Sequence, residues 1–133
     1  MDLSAYAHTL ARQSREAGLL LAAVEVGRRT DAIRRLAKLL RENVAPIVEA
    51  NAKDVAQAEA ASLAPAMIKR LRLDPAKVEA MARAVDEIAM QPDPVGATID
   101  AHTRNDGLKI EKVRVPLGSV LFVYESRPNV TTD

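Results

Sequence analysis

A chain of 133 residues, 48% of them hydrophobic and 28% charged, is long enough to bury one ordinary core and too apolar to read as disordered. Lys and Arg number 19 against 18 Asp and Glu, and a net charge of +1 gives no long-range field toward a nucleic-acid backbone or an anionic membrane. With no cysteine, these residues by themselves exclude a disulfide, a thiolate metal site and a thiol nucleophile.

Aromatic residues are 2% of the chain, so the core must be built from Ala, Leu, Val, Ile and Met. The amino terminus carries Asp2 and lacks a basic region followed by an apolar core, which does not read as a secretory signal. No apolar run approaches the length of a membrane span, and the expected location is cytoplasmic.

Leu3, Ala7, Leu10, Ser14, Ala17 and Leu21 fall on one helical stripe, interrupted by Gly18 near its end. Ile33, Leu36, Ala37, Leu40 and Val44 predict a second helix, with Thr30 or Asp31 as its cap. Its other face carries Arg34, Arg35, Lys38 and Arg41, an arrangement that is ordinarily a solvated surface.

Pro46 is suited to the first turn of a further helix. Asn51 is expected to interrupt that segment, and Asp54 to restart it. Residues 64–71 read as a short helical piece with Met67, Ile68 and Leu71 on its apolar side. The clearest start signal follows: Asp74 as cap, Pro75 at the first helical position, and Leu73 placed to staple onto Val78. From there Val78, Met81, Ala82, Val85, Ile88 and Ala89 keep helical spacing.

Pro92, Pro94 and Gly96 end the helical part. Residues 97–104 and 108–115 flank Asn105-Asp106-Gly107, whose tolerance of positive φ predicts a hairpin. In its second strand Leu108 and Ile110 point one way while Val113 and Val115 point the other, which calls for a bulge or a change of neighbours.

The final stretch, VRVPLGSVLFVYESRPNVTTD, breaks at Pro116-Leu117-Gly118, runs apolar from Val120 to Tyr124, and turns polar at Glu125-Ser126-Arg127-Pro128-Asn129. A short apolar run followed by a polar, proline-containing loop is how a buried parallel strand delivers functional groups at its carboxyl end. Such a strand needs neighbours on both edges, so the chain is expected to be the front of a larger protein.

No phosphate-cradling glycine motif is present. His8 and His102 lack metal-ligand spacing, and no metal site is expected. Asp93, Asp100 and Asp106 sit at turn or ribbon positions where Asp is common for local hydrogen bonding. For Glu125 to Asn129 the residues leave two readings open. The loop either carries function, or Arg127 pairs locally while Pro128 shapes the turn and Asn129 caps a following helix.

The run RVPLGSVLFVYESRPNVTTD resembles the gamma-glutamyl phosphate reductase (glutamate-5-semialdehyde dehydrogenase) family of the aldehyde dehydrogenase superfamily. EANAKDVAQA at residues 49–58, LAPAMIKRLRLDPAKVEAMA at 63–82 and DPVG at 93–96 extend the resemblance over essentially the whole chain. It implies an α/β fold. Residues 1–95 would be the helical part of an NADP-binding domain, 96–115 a β-hairpin oligomerisation arm, and 116–133 the first buried parallel strand of an incomplete Rossmann-like cofactor domain with the start of the active-site loop.

The implied activity is reduction of L-glutamyl 5-phosphate by NADPH to L-glutamate 5-semialdehyde and phosphate, in proline biosynthesis. In that scheme a cysteine thiolate displaces phosphate to form a thioester, which hydride reduces. Asn129 would be the oxyanion donor, with Arg127 as an alternative at that place, since a fixed amide stabilises each tetrahedral stage. Arg127 would otherwise bind the substrate's phosphate or carboxylate through its planar fork. Tyr124, Glu125 and Ser126 would line the nicotinamide side. The resemblance further implies a homodimer or higher homo-oligomer through the 97–115 ribbon, and no membrane or nucleic-acid partner.

The family's cysteine is absent from these residues, so this chain alone is expected to be inactive and to bind no cofactor tightly. The alternative from a different class is a non-catalytic helical interaction module that pairs through the ribbon.

Overall fold

The computed structural model describes residues 2–132. They form five α-helices, a two-stranded antiparallel ribbon and a closing 3-10 helix, and they divide into two compact units.

The first unit holds residues 2–26 and 92–121. Helix α1, Leu3–Ala22, starts at Asp2, whose carboxylate accepts from the N–H groups of Ser4 at 2.9 Å and Ala5 at 3.2 Å. These two donors have no partner inside the helix, which is why a carboxylate there defines its start. None of the described residues of α1 is buried. Of the predicted stripe, Ala7, Leu10 and Ser14 line an open groove of about 930 Å³ whose other wall is the segment from Pro116 to Leu121, while Leu3, Ala17 and Leu21 do not, and the groove continues along Gly18, Leu19 and Ala22. Gly18 has its reason here. A Cβ at that position would lie 3.2 Å from the Ser119 hydroxyl, which itself donates to the Ser14 carbonyl at 2.9 Å.

Strands β1, Thr98–Thr103, and β2, Lys109–Val113, pair antiparallel. The Gly107 N–H donates to the Arg104 carbonyl at 2.9 Å, and the Arg104 N–H donates to the Leu108 carbonyl at 2.9 Å. That is a three-residue connection, and Gly107, with φ +86°, takes the left-handed position it requires. The expected irregularity is found between Thr98 and Asp100, which pair with Val113 and Lys112. The extra residue is therefore Ile99 on β1, opposite the point where the apolar residues of β2 change sides.

The second unit holds residues 27–91 and 122–132. Helix α2, Val26–Glu42, begins before the expected caps. Asp31 lies inside it and turns its carboxylate to the Arg34 guanidinium at 3.4 Å instead of to a backbone N–H. Helix α3, Val44–Ala60, carries Pro46 in its first turn, where a missing N–H leaves no hydrogen bond unmade. The expected break at Asn51 and restart at Asp54 do not occur. Asn51 is buried mid-helix, at 5% exposure, because its side chain finds partners in the link after the next helix.

Helix α4, Pro65–Leu71, is short, and α5, Pro75–Ala89, opens as expected, with the Asp74 carboxylate accepting from the Lys77 N–H at 2.8 Å. The core joins Ala37 and Leu40 of α2 to Val78, Met81, Ala82 and Val85 of α5. Leu73 packs against this cluster, as a staple onto Val78 requires, and Ile88 stays exposed.

The apolar run at 120–124 departs from its expected burial. It carries no ladder and is exposed throughout, with Leu121 at 87% and Phe122 at 65%. The two described strands pair only with each other, so this extended backbone has no neighbour to hydrogen-bond or to cover its side chains. Asp133, which ends the resembling run, lies outside the described residues.

Candidate functional site

The polar loop is built by three local constraints. Ser126 adopts φ +53°, a left-handed conformation uncommon for a residue with a side chain, and it turns the chain at the end of the extended run. Arg127, at φ −136° and ψ 76°, precedes a proline and is kept out of helical geometry by it. Pro128 then opens the 3-10 helix Pro128–Thr131.

The turn is held from within. The Val130 N–H donates to the Arg127 carbonyl at 3.1 Å, and the Asn129 carbonyl accepts from the Thr132 N–H at 2.9 Å and its hydroxyl at 2.8 Å. The hydroxyls of Tyr124 and Thr131 share a hydrogen bond of 2.7 Å, which ties the end of the apolar run to the helix. Asn129 thus lies inside a 3-10 turn instead of capping a following helix.

Arg127 and Asn129 come together with Arg70, from the last turn of α4, around one polar concavity of about 450 Å³. Tyr124, Glu125 and Ser126 do not line it. No ion pair joins Arg70 or Arg127 to an acidic side chain among the described residues. Arg12, Arg34, Arg41, Arg72 and Arg104 each reach a carboxylate, and what sets Arg70 and Arg127 apart from the other arginines is the concavity they share. Two arginines bordering one concavity without a counter-ion among the described residues suit an anion, because each guanidinium can donate in a planar fork.

Sequence reasoning missed Arg70. Its one signal was position: it follows Met67, Ile68 and Lys69 in LAPAMIKRLRL and borders the apolar face of α4 without belonging to it. Nothing local connects it to a loop near residue 127, and only the packing of the second unit brings the two together.

The arginine showing a resolved electrostatic perturbation lies elsewhere. Arg41 donates to Glu79 at 3.0 Å and to Asp86 at 2.8 Å, linking α2 to α5. These hydrogen bonds raise the Arg41 pKa, and that from Arg41 holds the Glu79 carboxyl below its usual value. With both Glu79 oxygens and Asp86 Oδ2 turned to Arg41, this cluster joins α2 to α5.

No group of three His, Cys, Asp or Glu among the described residues could hold a metal. The described residues also contain no parallel strand and no glycine-rich turn leading into a helix. No helix among them is long and apolar enough to cross a membrane.

No protein-family model matches the chain. The gamma-glutamyl phosphate reductase of Paramagnetospirillum magneticum is 43% identical over 132 residues, and that of Parvibaculum lavamentivorans is 45% identical over the same length. Each alignment covers 99% of this chain and 31% of the relative. Among solved structures, gamma-glutamyl phosphate reductase from Thermotoga maritima matches with a TM-score of 0.86 at 38% identity, covering 92% of this chain and 30% of the other. That from Saccharomyces cerevisiae matches with a TM-score of 0.88 at 34% identity, covering 93% and 32%.

Identity of this order across both compact units, with the same backbone in two solved relatives, reflects common ancestry. The chain is a homologue of the gamma-glutamyl phosphate reductases, spanning about 31% of the length of the curated relatives it matches.

Proposed function

We propose that this chain is the part of a gamma-glutamyl phosphate reductase that supplies the oxyanion and phosphate contacts of the active site. In the longer protein, a cysteine and a nicotinamide-binding sheet would come from other residues. The reaction is reduction of L-glutamyl 5-phosphate with NADPH to the 5-semialdehyde, releasing phosphate, in the cytoplasm. The observation that carries the reading is 43–45% identity to enzymes of that name over 99% of the chain.

Within that reading the roles divide by chemistry. Arg127 holds the anionic end of the substrate through its fork. Asn129, fixed in its turn by the hydrogen bonds on its own carbonyl, is the amide donor toward charge developing on the carbonyl oxygen. A preorganised donor is worth more than a mobile one because it needs no reorientation as the charge appears. Tyr124, Glu125 and Ser126 face the nicotinamide once the apolar run at 120–124 is paired as a strand. The exposure of its apolar side chains supports that pairing, since Leu121 and Phe122 have no cover within the described residues.

The ribbon is read as an arm that pairs with a second copy. Both its strands are exposed along their length, including Ile99 and Ile110, and a lone two-stranded ribbon is at best marginally stable.

The test is a chimera in which this chain replaces the homologous stretch of the Thermotoga maritima reductase. Phosphate- and NADP-dependent oxidation of glutamate 5-semialdehyde is the expected activity, and a folded but inactive chimera would overturn the reading. The 133-residue chain alone is expected to show no turnover, having no thiolate to accept the acyl group.

A further inference from the structure

The concavity at Arg70, Arg127 and Asn129 is more specific than a general anion site. We propose that Arg70 and Arg127 act as a pair that holds a tetrahedral phosphoryl group, with Arg70 as a binding residue of the reaction. The proposal rests on the functional reading above, and it assigns the concavity to the phosphate end of the substrate instead of its carboxylate.

Three features carry it. First, the described residues that line the concavity are two arginines and one asparagine, with no acidic residue among them. A carboxylate offers two oxygens, which a single fork satisfies, whereas a phosphoryl group offers three oxygens and nearly two charges. Two forks match the second ligand and exceed the first. Second, neither arginine is neutralised by an ion pair among the described residues, so both guanidinium charges are available there to an anion.

Third, both groups stand on anchored backbone. Arg127 precedes Pro128 and its carbonyl accepts from Val130. Arg70 lies next to Leu71, whose carbonyl accepts from the buried Asn51 side chain at 2.9 Å. Anchoring the backbone on both sides fixes where the two side chains start and lowers the cost of bringing them to one ligand. Asn51 is then a positioning residue for Arg70, acting through the end of α4.

The phosphoryl group has two sources, the acyl phosphate before cleavage and inorganic phosphate after it. The experiment is titration of the 133-residue chain with inorganic phosphate at low ionic strength, read by phosphorus-31 NMR, with acetyl phosphate and glutarate in parallel. Saturable phosphate binding is expected, weakened about tenfold or more by Arg70→Gln and by Arg127→Gln, and by less in Arg70→Lys, which keeps charge and loses the fork. Arg34→Gln, midway along α2 and outside the concavity, leaves it unchanged.

Tighter binding of acetyl phosphate would put the phosphoryl group in the site before cleavage, and tighter inorganic phosphate after it; either upholds the site. No saturable binding overturns the proposal. So does a Kd unmoved by Arg70→Gln in a variant whose circular dichroism is native, equal weakening by Arg34→Gln, or displacement of phosphate by glutarate at equal concentration. A chimera that turns over substrate while the chain ignores phosphate sinks this inference alone. Phosphate binding beside a folded but dead chimera sinks the functional reading, and with it the role of Arg70 in the reaction, while the phosphate site itself stands.

Discussion

The carboxamide oxygen of Asn51 accepts a hydrogen bond of 2.6 Å from the backbone N–H of Leu73, while its nitrogen donates to the Leu71 carbonyl at 2.9 Å. One buried side chain thereby satisfies both backbone groups of the bend between α4 and α5. The bend in turn aims Leu73 at the core and leaves Arg70 at the edge of the polar concavity. Asn51→Ala is therefore expected to lower stability by about 2–3 kcal/mol, the cost of stranding a buried donor and acceptor. Urea denaturation of this chain measures it, and a loss within 0.5 kcal/mol would mean that water replaces the amide at little cost.

The Arg41 cluster predicts a pH dependence. Glu79 has a folded pKa below its unfolded value, so its pairing stabilises the fold above the unfolded pKa near 4.5 and is lost as pH falls through the lower, folded value. Wild type and Arg41→Gln should accordingly differ in Tm at pH 7 and converge on acidification below pH 4.5. Because the three side chains are partly exposed, about 0.5 M salt should also shrink the difference. A gap that persists at low pH would assign the effect to packing of the Arg41 stem.

The loop roles separate kinetically in the active chimera. Asn129→Ala should reduce kcat by about 10²–10³, as loss of one oxyanion donor does. Arg127→Gln should instead act mainly on the KM for phosphate in the reverse direction. If Asn129→Ala left kcat intact while Arg127→Gln removed it, Arg127 would hold the oxyanion position.

Phe122 distinguishes the isolated chain from the longer protein. At 65% exposure it contributes little here, and Phe122→Ser should shift the stability of this chain by no more than about 0.5 kcal/mol. In the chimera, with the run covered on both faces, the same change should cost about 3 kcal/mol or more, read as a fall in Tm. Equal, small effects in both settings would refute burial of this strand.

Gly107→Ala tests the ribbon. With φ at +86°, an alanine there is strained by about 1–2 kcal/mol, and cross-strand NOEs between Ala101 and Glu111 should weaken or vanish. Retention of the full register would show that other contacts hold the ribbon.

Sequence alone determined the elements whose signals are local. Asp74-Pro75 started α5 because a carboxylate and a proline suit the unpaired first turn of any helix, and Asn105-Asp106-Gly107 closed the hairpin because Gly107 alone of the three needs a positive φ. The periodicity from Val78 to Ala89 identified the core-facing stripe, since burial of apolar side chains follows the 3.6-residue repeat. The stretch of resemblance from Arg114 onward supplied the family reading before any contact was known.

Tertiary structure decided what depends on partners distant in the chain. Asn51 looks like a helix breaker in sequence, and is buried within α3 only because Leu71 and Leu73 pass close enough to satisfy it. Arg70 looks like a solvated cation, and it borders the loop concavity only because α4 and residues 127–129 share one unit. The run at 120–124 has the composition of a buried strand, yet burial and strand pairing need neighbours, and no property of those five residues supplies them.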